Sequence, residues 1–389
     1  MTNSAAISGL GFSRIGKFYG VSAGQLAQEA VIAAVNDSGL VMADVDGLIV
    51  SYGRTPSQIN LPLALGMRNL RLNVRLDAAG ATATTAVQYA STMVASGAAR
   101  HVVYVHADAP LQDPEARDGE TYGAALAAKS AEDFRGITTE LGLVGATPLY
   151  ALAARRHMER FGTTSEQLAA VAVAQRDWAA DNPLARFRTP LTVQDHQASR
   201  VIADPLRLFD CCMVTNGAIA VVVTNADGAD RLPQPPVHIW GWGQSHPVYP
   251  MDKNSGFGIR TGAVAAGRQA FEMAGVSPSD VTQAQLYDCY TFTVLITLED
   301  YGFCAKGEGG DFVESGATAR GGKLPTNTGG GQLSAYYLWG ATPLSEAVIQ
   351  ARGAGGGRQA PQDLILVSGN GGALESHGTL ILSPHKRPR

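Results

Sequence analysis

The 389-residue chain repeats itself, and that repeat restricts it to a fold made of two similar halves. The string Ala34-Val35-Asn36-Asp37-Ser38-Gly39-Leu40-Val41-Met42-Ala43-Asp44-Val45 reads as a helix end, a glycine stop and a turn. Ala270-Phe271-Glu272-Met273-Ala274-Gly275-Val276-Ser277-Pro278-Ser279-Asp280-Val281 repeats it, with Ala, Gly, Asp and Val in register. A strand-like run precedes each copy, at 5–11 and 237–242, and a β-rich run follows, at 47–52 and 285–294. Within 76–97 a Gly/Ala/Thr-rich turn enters a helix with Val87, Ala90 and Val94 on one face, and a strand at 101–106 follows. The later half has a Gly-rich turn at 328–332 and a helix at 342–352 with Leu344, Val348 and Ala351 on one face. A strand at 363–368 completes it. Elements recurring in the same order indicate a duplication. Alternating strands and helices give an α/β class, with a largely parallel sheet covered by helices.

Residues 111–200 interrupt the first half and read as largely helical. A helix over 150–161 stops at Gly162, and Thr164 with Gln167 forms a capping box for the next. The first half then ends with a strand at 218–224, and Pro233, Pro235 and Pro236 make a linker. The expected units are 1–110 with 201–230, an inserted domain at 111–200, and 236–389.

Composition narrows the function. Hydrophobic residues make up 45% of the chain and the net charge is -4, which suits a compact enzyme and argues against a nucleic-acid partner. The basic ending His385-Lys386-Arg387-Pro388-Arg389 reads as a solvated tail. Cys211, Cys212, Cys289 and Cys304 make no CxxC pair and no zinc spacing, so no metal site is expected and the compartment reads as reducing and cytoplasmic. No basic start followed by an apolar stretch marks a signal peptide, and no apolar run is long enough to span a bilayer.

Several short strings then occur in a telling order. They are Thr147-Pro148-Leu149, Arg156-His157-Met158, Gly162-Thr163-Thr164, Ala198-Ser199-Arg200-Val201-Ile202-Ala203-Asp204-Pro205-Leu206-Arg207 and Asn216-Gly217-Ala218. In the second half come Leu298-Glu299-Asp300-Tyr301-Gly302-Phe303 and Pro325-Thr326-Asn327-Thr328-Gly329-Gly330. Together they resemble the thiolase superfamily, specifically its sterol-carrier-protein-type members, over nearly the whole chain. The resemblance implies two βαβαβαββ halves stacked as five layers, an inserted, largely helical loop domain, and a homodimer.

It also implies a changed site. A thiolase acylates a cysteine, because a thiolate is a far better nucleophile than a neutral hydroxyl at pH 7. The turn that carries it in the family corresponds here to Ala79-Gly80-Ala81-Thr82-Ala83, with Gly80 at the cysteine. The second cysteine would open the turn Ser368-Gly369-Asn370-Gly371-Gly372. The family's Gly-His-Pro becomes Tyr336-Tyr337-Leu338, so Tyr337 replaces the histidine. Its Asn-Glu-Ala-Phe becomes Tyr287-Asp288-Cys289-Tyr290, so Tyr287 takes the polar oxyanion-side place.

With no nucleophile a Claisen thiolysis cannot run, but a retro-aldol can. It needs a base for the β-hydroxyl proton, a sink for the enolate and an acid. Tyr287 and Tyr337 divide the acid and base work, in either order. Backbone N–H groups near Gly80 and Gly371 hold the thioester oxygen, as in an oxyanion hole. The resemblance extends to thiolase-like retro-aldolases of steroid side-chain degradation. These cleave a 17-hydroxy C22 steroid CoA ester to a 17-ketosteroid and propionyl-CoA. They work with a hydratase whose OB-fold/zinc-ribbon domain docks on the thiolase-like subunit. No bound cofactor is implied, since the substrate carries coenzyme A.

Two rival readings stand beside this one: a non-catalytic acyl-CoA or sterol carrier or scaffold, and a Claisen enzyme using Cys289. A free cysteine in an apolar segment is more often a small buried hydrophobe. His157, His246 and His377 are acid/base candidates outside the family's catalytic position. Arg155, Arg156, Arg186, Arg188 and Arg200 are either CoA-phosphate ligands or surface charges.

Overall fold

The computed structural model describes residues 5–55, 57, 59–111, 113, 140, 142–246 and 256–388. Residues 112, 114–139 and 141 of the expected inserted region therefore lie outside the described residues, as do 1–4 at the start and Arg389 of the basic ending.

The first half runs β1 (Ala5–Phe12), α1 (Ala23–Asp37), β2 (Gly47–Tyr52), β3 (Leu72–Arg75), α2 (Thr82–Ala95) and β4 (His101–Asp108). Helices α3 (Thr147–Phe161) and α4 (Ser165–Ala179) intervene before β5 (Gly217–Asn225). The second half runs β6 (Val237–Ser245), α5 (Ala263–Ala274), β7 (Gln283–Gln285), α6 (Thr291–Asp300), α7 (Ala341–Ala351), β8 (Ile365–Gly371) and β9 (Ser376–Ser383).

The strands lie in the order β3-β2-β4-β5-β1-β6-β9-β8-β7. Outward from the centre, β1-β5-β4-β2 is answered by β6-β9-β8-β7. The first two pairings of each series are antiparallel and the third is parallel. The two series meet only where β1 runs against β6, at Ala6↔His238 and Ile7↔Val237. The sheet is thus mixed rather than largely parallel. The last strand of each half inserts antiparallel between its neighbours, which a chain of helical crossovers would not produce.

Helices form three layers around this double sheet. Leu26, Ala30, Val31 and Ala34 of α1 cover one outer face, against Val50, Val103, Val105 and Val222. Ala270 and Phe271 of α5 and Leu298 of α6 cover the other, against Leu366 and Ile381. Helices α2 and α7 lie between the two halves of the sheet: Val87, Ala90, Leu344 and Val348 share one cluster with Tyr104 and Val221 of the first series and Val367 and Leu380 of the second. A helix enclosed on both sides needs small residues for close approach, and α2 reads TATTAVQYASTMVA. Its buried Gln88 donates to the carbonyls of Gly243 (3.0 Å) and Thr379 (3.4 Å), binding a first-half helix to second-half strands.

Local signals in the insertion read as expected. Thr164 and Gln167 form the capping box of α4, and α3 ends at left-handed Gly162. One expectation fails here. Of the expected β-rich run at 285–294 only Gln285 is strand, as the end of Gln283–Gln285, and a helix begins at Thr291. Every residue from Thr291 to Glu299 is buried, so α6 has no polar face to reveal a helical period. The described residues of the basic ending, 385–388, are exposed, as expected of a solvated stretch, with contacts to the body. Trp240 Nε1 donates to His385 O at 2.7 Å, and Lys386 pairs with Asp227 and Asp230. Among the described residues no helix is long and apolar enough to cross a membrane.

Candidate active site

Two equivalent turns carry the chain into the central helices. Ala78-Ala79-Gly80 leads into α2, and Leu338-Trp339-Gly340 leads into α7. Ala79 and Trp339 both have φ 50°. In each turn a threonine hydroxyl accepts from the N–H four residues back: Ala78 to Thr82 at 2.8 Å, Leu338 to Thr342 at 3.0 Å. A Cβ on Gly340 would lie 2.5 Å from Gly80 O, so the turns abut. The counterpart of the Gly80 turn is therefore Leu338–Gly340 and not the expected Gly-rich turn at 328–332.

All four residues expected at the site meet here. A Cβ on Gly80 would come within 2.0 Å of Asn370 O and 2.3 Å of Tyr287 Cζ. One on Gly371 would come within 2.3 Å of Ala78 O and 3.0 Å of Gly80 N. The two glycines thus back onto each other, and position 80 has no room for a side chain. The hydroxyls of Tyr287 and Tyr337 are 3.4 Å apart. Gly371 is the last residue of β8, so the expected turn at 368–372 starts later, with left-handed Gly372, Ala373 and Leu374 in succession.

Neighbouring polar groups hold the backbone of each tyrosine. Leu286 N donates to Asn327 Oδ1 (2.6 Å) and Thr293 Oγ1 to Tyr287 O (2.9 Å). Thr215 Oγ1 accepts from Tyr337 N (3.0 Å) and donates to Tyr337 O (3.1 Å). Asp288 Oδ2 accepts from Gln332 N (2.8 Å) and Leu333 N (3.3 Å). Burial pushes the Asp288 carboxyl up to about 7, while those two N–H groups act the other way.

The walls are aromatic and sulfur-bearing. Tyr150, Cys289, Tyr290, Phe292 and Leu295 are buried around Tyr287, with Cys211, Cys212, Tyr337 and Trp339 partly buried beside them. The rings of Tyr150 and Tyr290 lie 4.6 Å apart, and Tyr290 Oη is 2.7 Å from Thr147 Oγ1. Burial drives the Tyr287 phenol well above its usual 10, and Cys289 and Tyr150 add to the effect, so Tyr287 is held as a neutral phenol. Burial likewise drives the thiols of Cys289 and Cys212 far up, and that of Cys211 to about 12. Thiols held this way are poor nucleophiles.

The family model "Thiolase C-terminal domain-like" matches residues 243–384. The "Steroid side-chain-cleaving aldolase" of Thermomonospora curvata is 38% identical, the match covering 91% of each chain. The "17-hydroxy-3-oxo-4-pregnene-20-carboxyl-CoA lyase" of Mycobacterium tuberculosis is 38% identical over 97% of this chain and 98% of its own. The chain belongs to the thiolase superfamily, in its sterol-carrier-protein-type, thiolase-like branch. The solved "Ltp2-ChsH2(DUF35) aldolase" superposes with a TM-score of 0.87 at 37% identity, covering 99% of both chains.

Within this thiolase-like fold the other sequence candidates have separate tasks. His157 is buried between Thr163 (3.0 Å) and Glu299 (3.0 Å). His246 bonds Ser376 and Gln244 at the surface. His377 bonds Tyr301 and Ser368, and burial holds it down to about 3. Arg155 pairs with Asp204, Arg156 donates to Phe257 O, and Arg188 donates to Ala180 O. Arg186 and Arg200 are exposed.

Sequence reasoning missed Tyr150 and Thr215. Nothing local links an inserted helix or a loop before β5 to residues near 287 and 337. A signal for the paired turns did exist: Gly-Ala-Thr recurs at 80–82 and 340–342. It also occurs at 145–147 and 316–318, so the string alone does not select the right pair.

Proposed function

We propose that this protein cleaves the Cα–Cβ bond of a β-hydroxyacyl-CoA thioester by a retro-aldol reaction. The specific substrate would be a 17-hydroxy C22 steroid side-chain CoA ester, giving a 17-ketosteroid of the androstenedione type and propionyl-CoA. The observation that carries this reading is the pair of phenols 3.4 Å apart, one of them over a glycine with no room for a nucleophile. The names of the two relatives and of the solved neighbour support it.

A base removes the β-hydroxyl proton, the C–O bond becomes a carbonyl, and the Cα–Cβ pair passes to the thioester as an enolate. An acid then protonates Cα. Tyr287, kept neutral by burial, is the donor. Tyr337 is the less buried of the two and takes the base role. A hydrogen bond from Tyr287 stabilises the phenolate that this role requires, and the 3.4 Å separation would tighten on substrate. Backbone N–H groups near Gly80 and Gly371 stabilise the enolate oxygen. The enzyme acts without a cysteine nucleophile and calls for no bound cofactor.

The assembly and division of the chain belong to the same reading. It would work as a homodimer joined to a hydratase through an OB-fold/zinc-ribbon domain, with units at 1–110 plus 201–230, 111–200 and 236–389. The deciding experiment is mass spectrometry of products from β-hydroxyacyl-CoA esters, with and without a candidate hydratase. Propionyl-CoA and a matching ketone are expected. CoA-ester binding without turnover would leave a carrier or scaffold, and CoA-dependent thiolysis of a β-ketoacyl ester would point to a Claisen enzyme.

A further inference from the structure

We propose that Asp288 is a positioning residue that sets the spacing of Tyr287 and Tyr337. The inference rests on the assignment of those two phenols to the reaction.

The two tyrosines come from segments far apart in sequence, so something must fix one against the other. Asp288 follows Tyr287 directly and is fully buried. Its Oδ2 accepts the backbone N–H groups of Gln332 and Leu333, at 2.8 and 3.3 Å. Those residues belong to a single π-type turn, Gly331–Ala335, which delivers the chain to Tyr336 and Tyr337. Gln332 and Leu333 lie at its start, where helical N–H groups have no partner within the helix and are open to an outside acceptor. The approach also depends on Gly331: a Cβ there would lie 2.1 Å from Asp288 Oδ2, and its φ is +59°. Only glycine lets the carboxyl reach the turn without displacement.

Asn327 returns the contact from the other side. It precedes the turn, and its Oδ1 accepts Leu286 N at 2.6 Å. The residues on both sides of Tyr287 are thus bonded to the segment that carries Tyr337. Thr215 fixes only the far end of that segment. Without Asp288 the segment keeps Thr215, Asn327 and the N–H groups of Arg186, Phe187 and Met213 on the turn's carbonyls, but the turn loses its direct bond to the residue beside Tyr287. Two reacting groups displaced by about 1 Å cost on the order of 10²-fold in rate.

The test uses the full chain and a β-hydroxyacyl-CoA ester, with Asp288→Ala and Asp288→Asn made alone and in a Tyr337→Phe background. Asp288→Ala should lower kcat about 10- to 100-fold with KM within about threefold. Asp288→Asn, whose amide oxygen still accepts both N–H groups, should recover most of that loss. In Tyr337→Phe, Asp288→Ala should cost less than about twofold more, because the phenol it places is already gone. If Asp288→Ala does not fold, Gly331→Ala, which drives a methyl into Oδ2, carries the same expectations. An equal loss in both backgrounds, or a change in KM alone, would overturn the positioning role. Wild-type turnover by Tyr337→Phe is a separate outcome: it would overturn the tyrosine assignment itself.

Discussion

The ring of Tyr287 occupies the space into which any side chain at position 80 would point, with Cζ 2.3 Å and Cε2 2.5 Å from a Cβ built on Gly80. The two residues are coupled, and neither can change freely alone. A nucleophile on that turn and a phenol at 287 exclude each other.

Gly80→Ala should therefore damage the site although it adds one methyl. The methyl must displace Asn370 O or the Tyr287 ring. We expect kcat to fall at least about 10²-fold from the misplaced phenol, and stability to fall by about 1–3 kcal/mol from overpacking. Steady-state kinetics and urea unfolding of the variant check both. Gly80→Cys should be worse and should not gain thiolase activity.

Removing one phenolic oxygen tests the pair directly. Tyr337→Phe and Tyr287→Phe keep their rings, so packing changes little. Each should slow cleavage about 10²- to 10⁴-fold if its hydroxyl moves a proton. Product formation followed by mass spectrometry reports the rate, and thermal unfolding shows whether the fold is intact. A fully active variant would remove that tyrosine from the mechanism.

Cys289 should be dispensable. Its thiol is buried, held far above the thiolate range, and set against Tyr150. Cys289→Ala should keep kcat within about threefold, and intact-mass analysis after incubation with acyl-CoA should show no adduct on any cysteine. A stable acyl adduct would sink the retro-aldol reading.

Acid should weaken the fold through two buried histidines. Burial holds His106 and His377 down to about 3. A depressed pKa means the native state keeps each ring neutral while the unfolded chain protonates below about 6.5. Their contribution is present above that pH and is lost as pH falls towards 3. The slope should approach about 1.4 kcal/mol per pH unit for each histidine. Urea midpoints at pH 7, 6 and 5 measure it, and His106→Asn should flatten the curve. Asp288, raised to about 7, acts in the opposite sense over the same range, so the measure is the difference between wild type and His106→Asn: the same change in midpoint from pH 7 to 5 in both would refute this account.

Much of this was legible from the residues. The helix end, glycine stop and turn repeated at Gly39 and Gly275 gave the paired helices α1 and α5, because such stops are local. Gly80, Gly371, Tyr287 and Tyr337 were found by resemblance, and the fold brings all four together. What stayed hidden was non-local or lacked contrast. The run from Thr291 is a helix buried on every side, so its polar residues form no exposed face to mark its period. The strand order depends on where β5 and β9 insert, which no short string records. Thr215 and Tyr150 reach the site from segments whose own patterns speak only of a loop and a helix.

The central helices carry a last consequence. Because α2 packs against strands of both halves, and Gln88 donates to carbonyls of the opposite one, neither half owns a complete interior. Separating them would strip that layer of half its cover and expose a broad apolar face to water. The duplication is therefore visible in the architecture but no longer divisible: two copies have become one cooperative unit, and neither should be recoverable as a free-standing domain.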